Sequence, residues 1–292
     1  MDRRTEGGRA AERAVRSWPA PPSGFSLRAA GRTALYVDAA LEADPAALRL
    51  GSWDGWRAAS QAVSGGSGRG GTAVIEGAGG ARWRIKLMRR GGRLASLWKD
   101  RYPSASRLVA ILAASVEARA RGIPTPRPIA LAVEAGPSGL VRGAMAFEEV
   151  EGGEDLARRV IGRALTRDDL AAVMRAVRRM HDGGMLHPDL NLGNLLLRGA
   201  RPDASDVLVI DLDRARFVSG PVAFGPRQAA IRRMERSCAK LTGVAGPLGP
   251  GTEDLWYSLY AGGDEALARR LARHRTAGRL SLALHRAGWR RS

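Results

Sequence analysis

The chain has 292 residues, 45% of them apolar and 26% charged, which is enough length and the right composition for a globular protein with a buried core. Forty-seven Lys and Arg against 29 Asp and Glu give a net charge of +18, which favours a polyanionic partner: nucleic acid, an anionic membrane surface or a phosphorylated substrate. A single cysteine, Cys238, excludes an internal disulfide. The sequence contains no apolar run long enough to predict a membrane span, and no apolar core follows its basic N-terminus as in a secretory signal. The expected location is therefore the cytoplasm.

The first third of the chain begins with a low-complexity segment and leads to a glycine cluster. Residues 1–24 are rich in Arg, Gly, Ala and Pro and predict a poorly ordered basic tail. Residues 27–41 predict a first strand or hairpin. The cluster then places G-x-G-x-x-G at Gly66, Gly68 and Gly71. Glycine lets a backbone approach phosphate oxygens closely, so this loop is a candidate phosphate site, with a flexible loop as the alternative.

Two strand candidates directly follow the glycine cluster. They are residues 72–76 and 81–88, joined by a turn at 77–80, and the second contains Lys86. A hairpin with one Lys after a glycine loop is typical of a kinase nucleotide lobe. It disfavours a dinucleotide-binding unit, in which the third glycine opens a helix.

The middle of the chain predicts a helix, two strands and a connector. Residues 104–121 have helical periodicity, which ends at a glycine followed by prolines. Residues 129–133 and 139–147 predict strands. An extended connector follows, in which backbone groups of Glu148 and Val150 are candidates for binding the adenine edge of a nucleotide.

From Glu154 onward the pattern is mostly helical. Thr166 is a predicted helix cap, residues 227–241 are amphipathic, and further helices are predicted from residue 253. Strands first and helices afterwards indicate an α+β, two-lobed architecture. The predicted organisation is a β-rich N-lobe over 25–150 and a mostly helical C-lobe over 151–292.

Between the predicted C-lobe helices lies a stretch with the residues of phosphoryl transfer. His187, Asp189 and Asn194 form the pattern H-x-D-x-x-x-x-N, and an apolar run ends at Asp211. In such a site the first Asp takes or orients the proton of an attacking hydroxyl, while the Asn and the second Asp supply hard oxygens for Mg²⁺. Each residue alone is more often a turn or a cap, but their order and spacing favour a kinase.

Short motifs spread over residues 64–241 share the spacing of one kinase family. They are Gly68-Arg69-Gly70, Arg89-Arg90-Gly91-Gly92, Lys99-Asp100-Arg101-Tyr102, the segment Gly122 to Pro128, the loop His187 to Asn194, Val209 to Arg214, and Arg236-Ser237-Cys238-Ala239-Lys240. On these motifs the sequence resembles the protein-kinase-like superfamily. Within it, the sequence is most similar to the bacterial lipopolysaccharide kinases, which include the kinases of 3-deoxy-D-manno-octulosonic acid (Kdo).

The resemblance implies a two-lobed protein-kinase-like fold and ATP-dependent phosphorylation of a Kdo or heptose hydroxyl in the lipopolysaccharide inner core. The implied partners are ATP, Mg²⁺ and an anionic glycolipid of the lipid A–Kdo type. Peripheral contact with the anionic inner face of the inner membrane is also implied, whereas nucleic acid is disfavoured as a partner. The basic charge of the chain suits such a substrate and surface.

The resemblance also assigns roles to individual residues. Asp189 is implied as the catalytic base, Asn194 and Asp211 as Mg²⁺ ligands, and His187 as a support of the catalytic loop. Lys86 is implied to pair with the α- and β-phosphates. The glycine loop that covers the phosphates consists of Gly66, Gly68, Arg69, Gly70 and Gly71.

One position departs from the family pattern. The Glu that should pair with Lys86 falls near Ile111, and the only Glu in that helix is Glu117. Two alternatives stay open. Because kinases of this fold share Asp189, Asn194 and Asp211, the acceptor could instead be another small molecule or a protein. The missing Glu and the basic charge leave open a pseudokinase that binds an anionic partner. The intact Asp189 and Asp211 argue against the pseudokinase.

Overall fold

A computed structural model describes residues 18–44, 47, 50, 55–56, 72–89, 101–136, 139–162, 165–199 and 203–273. The chain divides into two units. The first comprises Met1–Glu117 with Pro126–Glu149, and the second comprises Ala118–Thr125 with Val150–Ser292. Residues 118–125, which include the end of the helix predicted at 104–121, cluster with the second unit, although they lie within the lobe predicted over 25–150.

The first unit is built on a six-stranded antiparallel sheet. Its strands are β1 (Phe25–Ala30), β2 (Thr33–Asp38), β3 (Thr72–Glu76), β4 (Arg82–Leu87), β5 (Pro128–Ala135) and β6 (Val141–Glu148), in the spatial order β1-β2-β5-β6-β4-β3. Each predicted strand of this region is present, with ends shifted by no more than a few residues. The α+β class is confirmed.

Both faces of this sheet are covered, and β2 shows how its sequence serves both. Successive strand side chains point to opposite faces. Tyr36 therefore packs in the apolar cluster with Leu108 and Leu112 of helix α1 (Ala105–Ala120), while Leu35 and Val37 pack in a second cluster with Trp56. All six of these side chains are nearly or fully buried, so β2 has a continuous run of apolar residues.

Residues 18–24 differ from the prediction of a poorly ordered tail. Trp18 packs against the cluster beneath α1, and the Tyr36 hydroxyl donates a 2.9 Å hydrogen bond to the carbonyl of Pro19. Burial raises the pKa of Tyr36 to about 12. Pro and Gly content suggested disorder, but one Trp and one strand-borne hydroxyl give this segment specific contacts.

The second unit is mostly helical, with small sheets. Its elements are β7 (Gly153–Asp155), α2 (Leu156–Gly162), α3 (Arg167–Asp182), β8 (Met185–Leu186), β9 (Leu195–Arg198), β10 (Val207–Val209), β11 (Arg216–Phe217), α4 (Phe224–Thr242), α5 (Leu255–Ala261) and α6 (Glu265–Arg273). Strands pair in the order β10-β9-β7, and β11 pairs with β8. Over the described ranges, none of the helices is both long and apolar enough to cross a membrane.

Helix α3 starts where the sequence predicts. The Thr166 side chain accepts from the backbone N–H of Asp169, and the Asp169 carboxylate accepts from the N–H of Thr166, both at 3.1 Å. This reciprocal capping box satisfies two backbone donors that a helix start otherwise leaves free. Asp169 also binds the buried Arg159 of α2 at 3.1 Å, so the cap joins the two helices.

Candidate active site

The loop from His187 to Asn194 follows β8 and is held against the strand that precedes Asp211. Nε2 of His187 lies 3.1 Å from the carbonyl of Ile210, and the N–H of Ile210 donates to the carbonyl of Asn194 at 3.0 Å. Because a carbonyl only accepts, the His187 ring is protonated at Nε2. Both ends of Ile210 are therefore bonded to the loop, which fixes the residue next to Asp211.

His187 is 1% exposed, and burial lowers the pKa of its imidazole, although the carbonyl of Ile210 and the charges of Asp211 and Asp189 oppose this. Its Nδ1 is buried and has no hydrogen-bond partner in the described part of the chain. A neutral ring protonated at Nε2 carries only a lone pair at Nδ1. His187 therefore bonds to the backbone beside Asp211, which is consistent with its predicted role as a support of the loop.

Asp189 presents its side chain to solvent while its backbone holds the loop together. Its carbonyl accepts from Nδ2 of Asn194 and from Nδ2 of Asn191, both at 2.9 Å. Oδ1 of Asn191 in turn accepts from the N–H of Gly193 at 2.9 Å and caps the short 3₁₀ turn Leu192–Asn194. The loop is thus closed by side-chain amides, and the carboxylate of Asp189 is left exposed at its surface.

Asp211 is the one non-glycine residue with a positive φ in the described ranges, at φ 63° and ψ 55°. The left-handed region is uncommon for such residues, and its cost is tolerated where surrounding contacts enforce it. Here β10 ends at Val209, two residues before Asp211, and the N–H of Val209 donates to the carbonyl of Pro124 at 2.9 Å. The turn that follows, Leu212–Arg214, directs the chain into β11.

The donor set of Asn194 and Asp211 fits a magnesium ion. The amide nitrogen of Asn194 is engaged by Asp189, so its side-chain oxygen is the atom left for a cation, and Asp211 offers carboxylate oxygens at an exposed position. Mg²⁺ prefers hard oxygen ligands and is commonly bound by one or two protein groups together with substrate phosphates. The sequence prediction of these two ligands is chemically consistent with the local geometry.

The first unit contains the other nucleotide-binding candidates. Lys86 lies in β4, half-buried, opposite Met145 of β6. Because side chains alternate along β4, Lys86 faces away from the cluster of Trp83 and Ile85 and shares the sheet face on which α1 packs. Gly66, Gly68, Arg69, Gly70 and Gly71 lie outside the described residues, so their predicted role stays a prediction.

The connector begins with a paired carboxylate that the sequence did not single out. The guanidinium of Arg84 donates to both oxygens of Glu149, at 2.5 and 2.6 Å, and the N–H of Glu149 donates to the carbonyl of Arg82 at 2.9 Å. The N–H of Glu148 is engaged by the carbonyl of Arg127 at 2.8 Å. The connector predicted to bind adenine is therefore anchored to β4 at its first residue.

The position expected to carry the partner of Lys86 holds a packing residue. Ile111 is 4% exposed in the apolar cluster beneath α1, whereas Glu117 lies six residues further along the helix and is half-buried. A carboxylate at 111 would need a partner inside this apolar cluster. The departure seen in the sequence is thus a real feature of the helix.

One contact outside the predicted motif roles supports the catalytic loop. Oγ of Ser237 on α4 accepts from the N–H of Leu192 at 3.3 Å, so α4 touches the 3₁₀ turn that contains Asn194. The amphipathic pattern of α4 predicts which face of the helix is buried. It does not predict which polar residue outside that face contacts a loop, so the role of Ser237 could not be found from the sequence.

An antiparallel sheet covered by one helix, followed by a helical unit in which a His-x-Asp loop is bonded to an Asp-terminated strand, defines a phosphotransferase of the protein-kinase-like fold. A profile of the "Lipopolysaccharide kinase (Kdo/WaaP) family" matches residues 54–245, more than half of the chain. The chain belongs to this family and is a kinase, as the sequence motifs predicted; its family implies the use of ATP.

Characterised relatives and a solved structure agree with this assignment. The chain is 28% identical over 195 residues to a 3-deoxy-D-manno-octulosonic acid kinase of Haemophilus influenzae (strain 86-028NP), covering 64% of this chain and 79% of the relative. It is 32% identical over 185 residues to the kinase of that name from Xylella fastidiosa (strain 9a5c), covering 59% and 71%.

The solved structure described as "WaaP in complex with acyl carrier protein" has a TM-score of 0.50 and 19% identity, covering 82% of this chain and 95% of that one. At this identity the similarity concerns the fold alone, and it confirms the predicted kinase-like architecture.

Proposed function

We propose that this protein transfers the γ-phosphoryl group of ATP to a sugar hydroxyl, of Kdo or heptose, in the inner core of lipopolysaccharide. The observation that carries the proposal is the loop in which Asn194 donates to the carbonyl of Asp189 and His187 donates to the carbonyl of Ile210, the residue before Asp211. The substrate class rests on the family and on relatives that act on an acidic sugar.

In this mechanism the acceptor hydroxyl attacks the γ-phosphorus while ADP leaves, and Asp189 receives the hydroxyl proton. Its exposed carboxylate is available to a substrate, and its backbone is fixed by two amide donors. Positioning and charge neutralisation dominate such a transfer, and no covalent enzyme intermediate is needed. Asn194 and Asp211 would hold a magnesium ion, which would supply positive charge against the phosphates.

The remaining sequence candidates have proposed roles in nucleotide binding. Lys86 binds the α- and β-phosphates, the loop 66–71 covers them, and the backbone at Glu148 and Val150 binds the adenine edge. Glu149 and Arg84 hold this connector in place through their two-point ion pair. The protein acts at the inner face of the inner membrane, where a net charge of +18 favours contact with anionic lipid.

The test is phosphate transfer from labelled ATP to a Kdo-bearing lipid A acceptor. Asp189→Ala and Asp211→Ala should each abolish transfer, because one removes the base and the other a magnesium ligand. Asp168→Ala is a matched control, since Asp168 is an exposed carboxylate in the first turn of α3. Unchanged transfer in the first two variants would refute the site assignment.

Two further measurements test the alternatives of another acceptor and of an inactive protein. Labelling of an aminoglycoside or a protein, with none on the lipid, would favour another acceptor class. A melting temperature that Mg-ATP does not raise, together with salt-sensitive binding to an anionic partner, would favour a pseudokinase. Mass spectrometry of lipopolysaccharide from cells with and without the protein distinguishes Kdo from heptose as the phosphorylated sugar.

A further inference from the structure

Helix α4 has two chemically different faces. Ile231, Met234 and Cys238 are buried and form its core side. Three cations lie on the opposite side at the i, i+3 and i+7 positions of one stripe: Arg233, Arg236 and Lys240. Cations on the side of a helix that faces away from the core are usually exposed to solvent, but Arg233 and Arg236 are half-buried.

The basic stripe lies beside the catalytic loop. Ser237, one turn after Arg233 on the same side of α4, accepts a hydrogen bond from the N–H of Leu192 at 3.3 Å. Leu192 begins the turn that contains Asn194, and the amide of Asn194 binds the carbonyl of Asp189 at 2.9 Å. The loop that carries Asp189 is therefore in direct contact with α4 at the residue that follows Arg236.

The two arginines also lack a carboxylate partner in the part of the chain that the structure describes. In the described ranges, no carboxylate lies within 4.0 Å of Arg233 or Arg236, whereas Arg227 on the same helix pairs with Asp182 at 2.5 Å. The only acidic residue of α4, Glu235, is 7% exposed and accepts from the Tyr257 hydroxyl at 2.9 Å.

The electrostatic surroundings of Arg236 agree with this. Burial, and then the charge of Arg233, lower the pKa of its guanidinium, and the charge of Glu235 only partly offsets them. Holding two like charges half-buried beside each other costs free energy. A bound anion would reduce that cost.

We infer that Arg233 and Arg236 form an anion-binding subsite for the acceptor, which holds a carboxylate or phosphate of the substrate while its hydroxyl is phosphorylated. This inference rests on the proposed function. A guanidinium matches the geometry of either anion with two parallel N–H donors. Kdo, on which the curated relatives act, is itself an acid and thus carries a carboxylate.

Kinetics with three acceptors test the subsite. They are a Kdo-bearing lipid A, the same molecule with its Kdo carboxylate methylated, and its dephosphorylated form. Arg236→Ala should raise the KM of the full acceptor about tenfold to a hundredfold, the value of a charged hydrogen bond, with kcat and the KM of ATP nearly unchanged. Arg233→Ala should act in the same direction.

Comparing the KM values of the three acceptors shows whether the bound anion is the Kdo carboxylate or a lipid phosphate. If the subsite binds the carboxylate, the wild type discriminates against the methyl ester and Arg236→Ala does not. If the subsite binds a lipid phosphate, the wild type discriminates against the dephosphorylated acceptor and Arg236→Ala does not. Arg236→Lys keeps the charge without the two-point donor geometry and should give an intermediate KM; it also serves if the alanine variant fails to fold.

The control is Arg269→Ala on α6, which removes one positive charge from an arginine whose side chain is 66% exposed. It should leave the KM of every acceptor within about twofold of the wild type, as expected for a surface substitution. Equal effects in Arg236→Ala and Arg269→Ala, or a KM near that of the wild type in both Arg233→Ala and Arg236→Ala, would overturn the inference.

Failure of the proposed function is recognised separately. If the wild type transfers phosphate to none of the lipids, the subsite is judged by calorimetric titration of the protein with Kdo and with inorganic phosphate. Binding by the wild type and Arg269→Ala that is lost in Arg236→Ala supports an anion subsite. No binding to the wild type, or equal binding to all three proteins, refutes it.

Discussion

The sheet of the first unit and the catalytic loop of the second are stabilised in different ways. The sheet is covered by apolar clusters on both faces, so its strands are fixed by burial. The loop around Asp189 is fixed by hydrogen bonds from Asn191, Asn194 and His187 to backbone carbonyls, and the carboxylate of Asp189, the proposed base, is exposed. The comparison teaches that stability and chemistry depend on different residues, and substitutions should separate them.

The largest expected effect is on chemistry in the loop. Asp189→Asn keeps the shape of the side chain and the backbone carbonyl that holds Asn194, but it removes the proton acceptor. We expect kcat to fall about 10²–10⁴-fold, the usual contribution of general acid–base catalysis. The free energy of unfolding should change by less than about 0.5 kcal/mol, because the side chain is exposed. Steady-state kinetics and urea unfolding measure the two; a large loss of stability would show that the loop depends on this carboxylate.

The largest expected effect on stability lies in the sheet. Ile85→Ala removes a side chain that is 0% exposed from the cluster with Trp56 and should lower the free energy of unfolding by about 2–5 kcal/mol. The same substitution at Ile161, which is 67% exposed, should cost less than about 0.5 kcal/mol. Similar costs at both positions would contradict the burial of Ile85.

The third prediction is that the second unit loses folding stability as the pH falls, because all four histidines follow residue 180. Burial, and then the charge of Arg227, lower the pKa of His181 to about 3. Between pH 6.5 and 3 the unfolded chain therefore binds more protons, and stability falls as the pH falls. The slope due to His181 is at most about 1.4 kcal/mol per pH unit.

His181→Gln removes this titration and leaves a side chain that can bind the Tyr260 hydroxyl, the partner of His181 at 2.9 Å. Unfolding measured from pH 7.5 to 4.5 should show a shallower loss of stability in the variant than in the wild type. Equal slopes in the two proteins would mean that His181 is protonated in the folded state without cost.

The smallest expected effect is at the contact between α4 and the loop. Ser237→Ala removes the acceptor of the Leu192 N–H and should lower the free energy of unfolding by about 0.5–1.5 kcal/mol. Because Leu192 begins the turn of Asn194, a small loss of kcat should accompany it. The control is Ser258→Ala on α5, where the hydroxyl makes only a 3.5 Å contact to its own helix and the effect should be near zero.

Most of the fold could be predicted because local patterns carry it. The hairpin around 77–80, the capping box of Thr166 and the apolar stripe of α4 are each encoded by neighbouring residues, and each is present. The segment 18–24 could not be predicted, because its order depends on Tyr36 and on the cluster beneath α1. The residues next to this segment in the sequence do not indicate these distant contacts.

The sequence by itself contained the identity and order of His187, Asp189, Asn194 and Asp211, the proposed site residues, and its motifs predicted the kinase class. Only the tertiary structure decided how they are held. The left-handed backbone of Asp211, the neutral buried ring of His187 and the half-buried pair Arg233 and Arg236 all arise from contacts between residues far apart in the chain. Burial and hydrogen bonding depend on such contacts, which no local pattern contains.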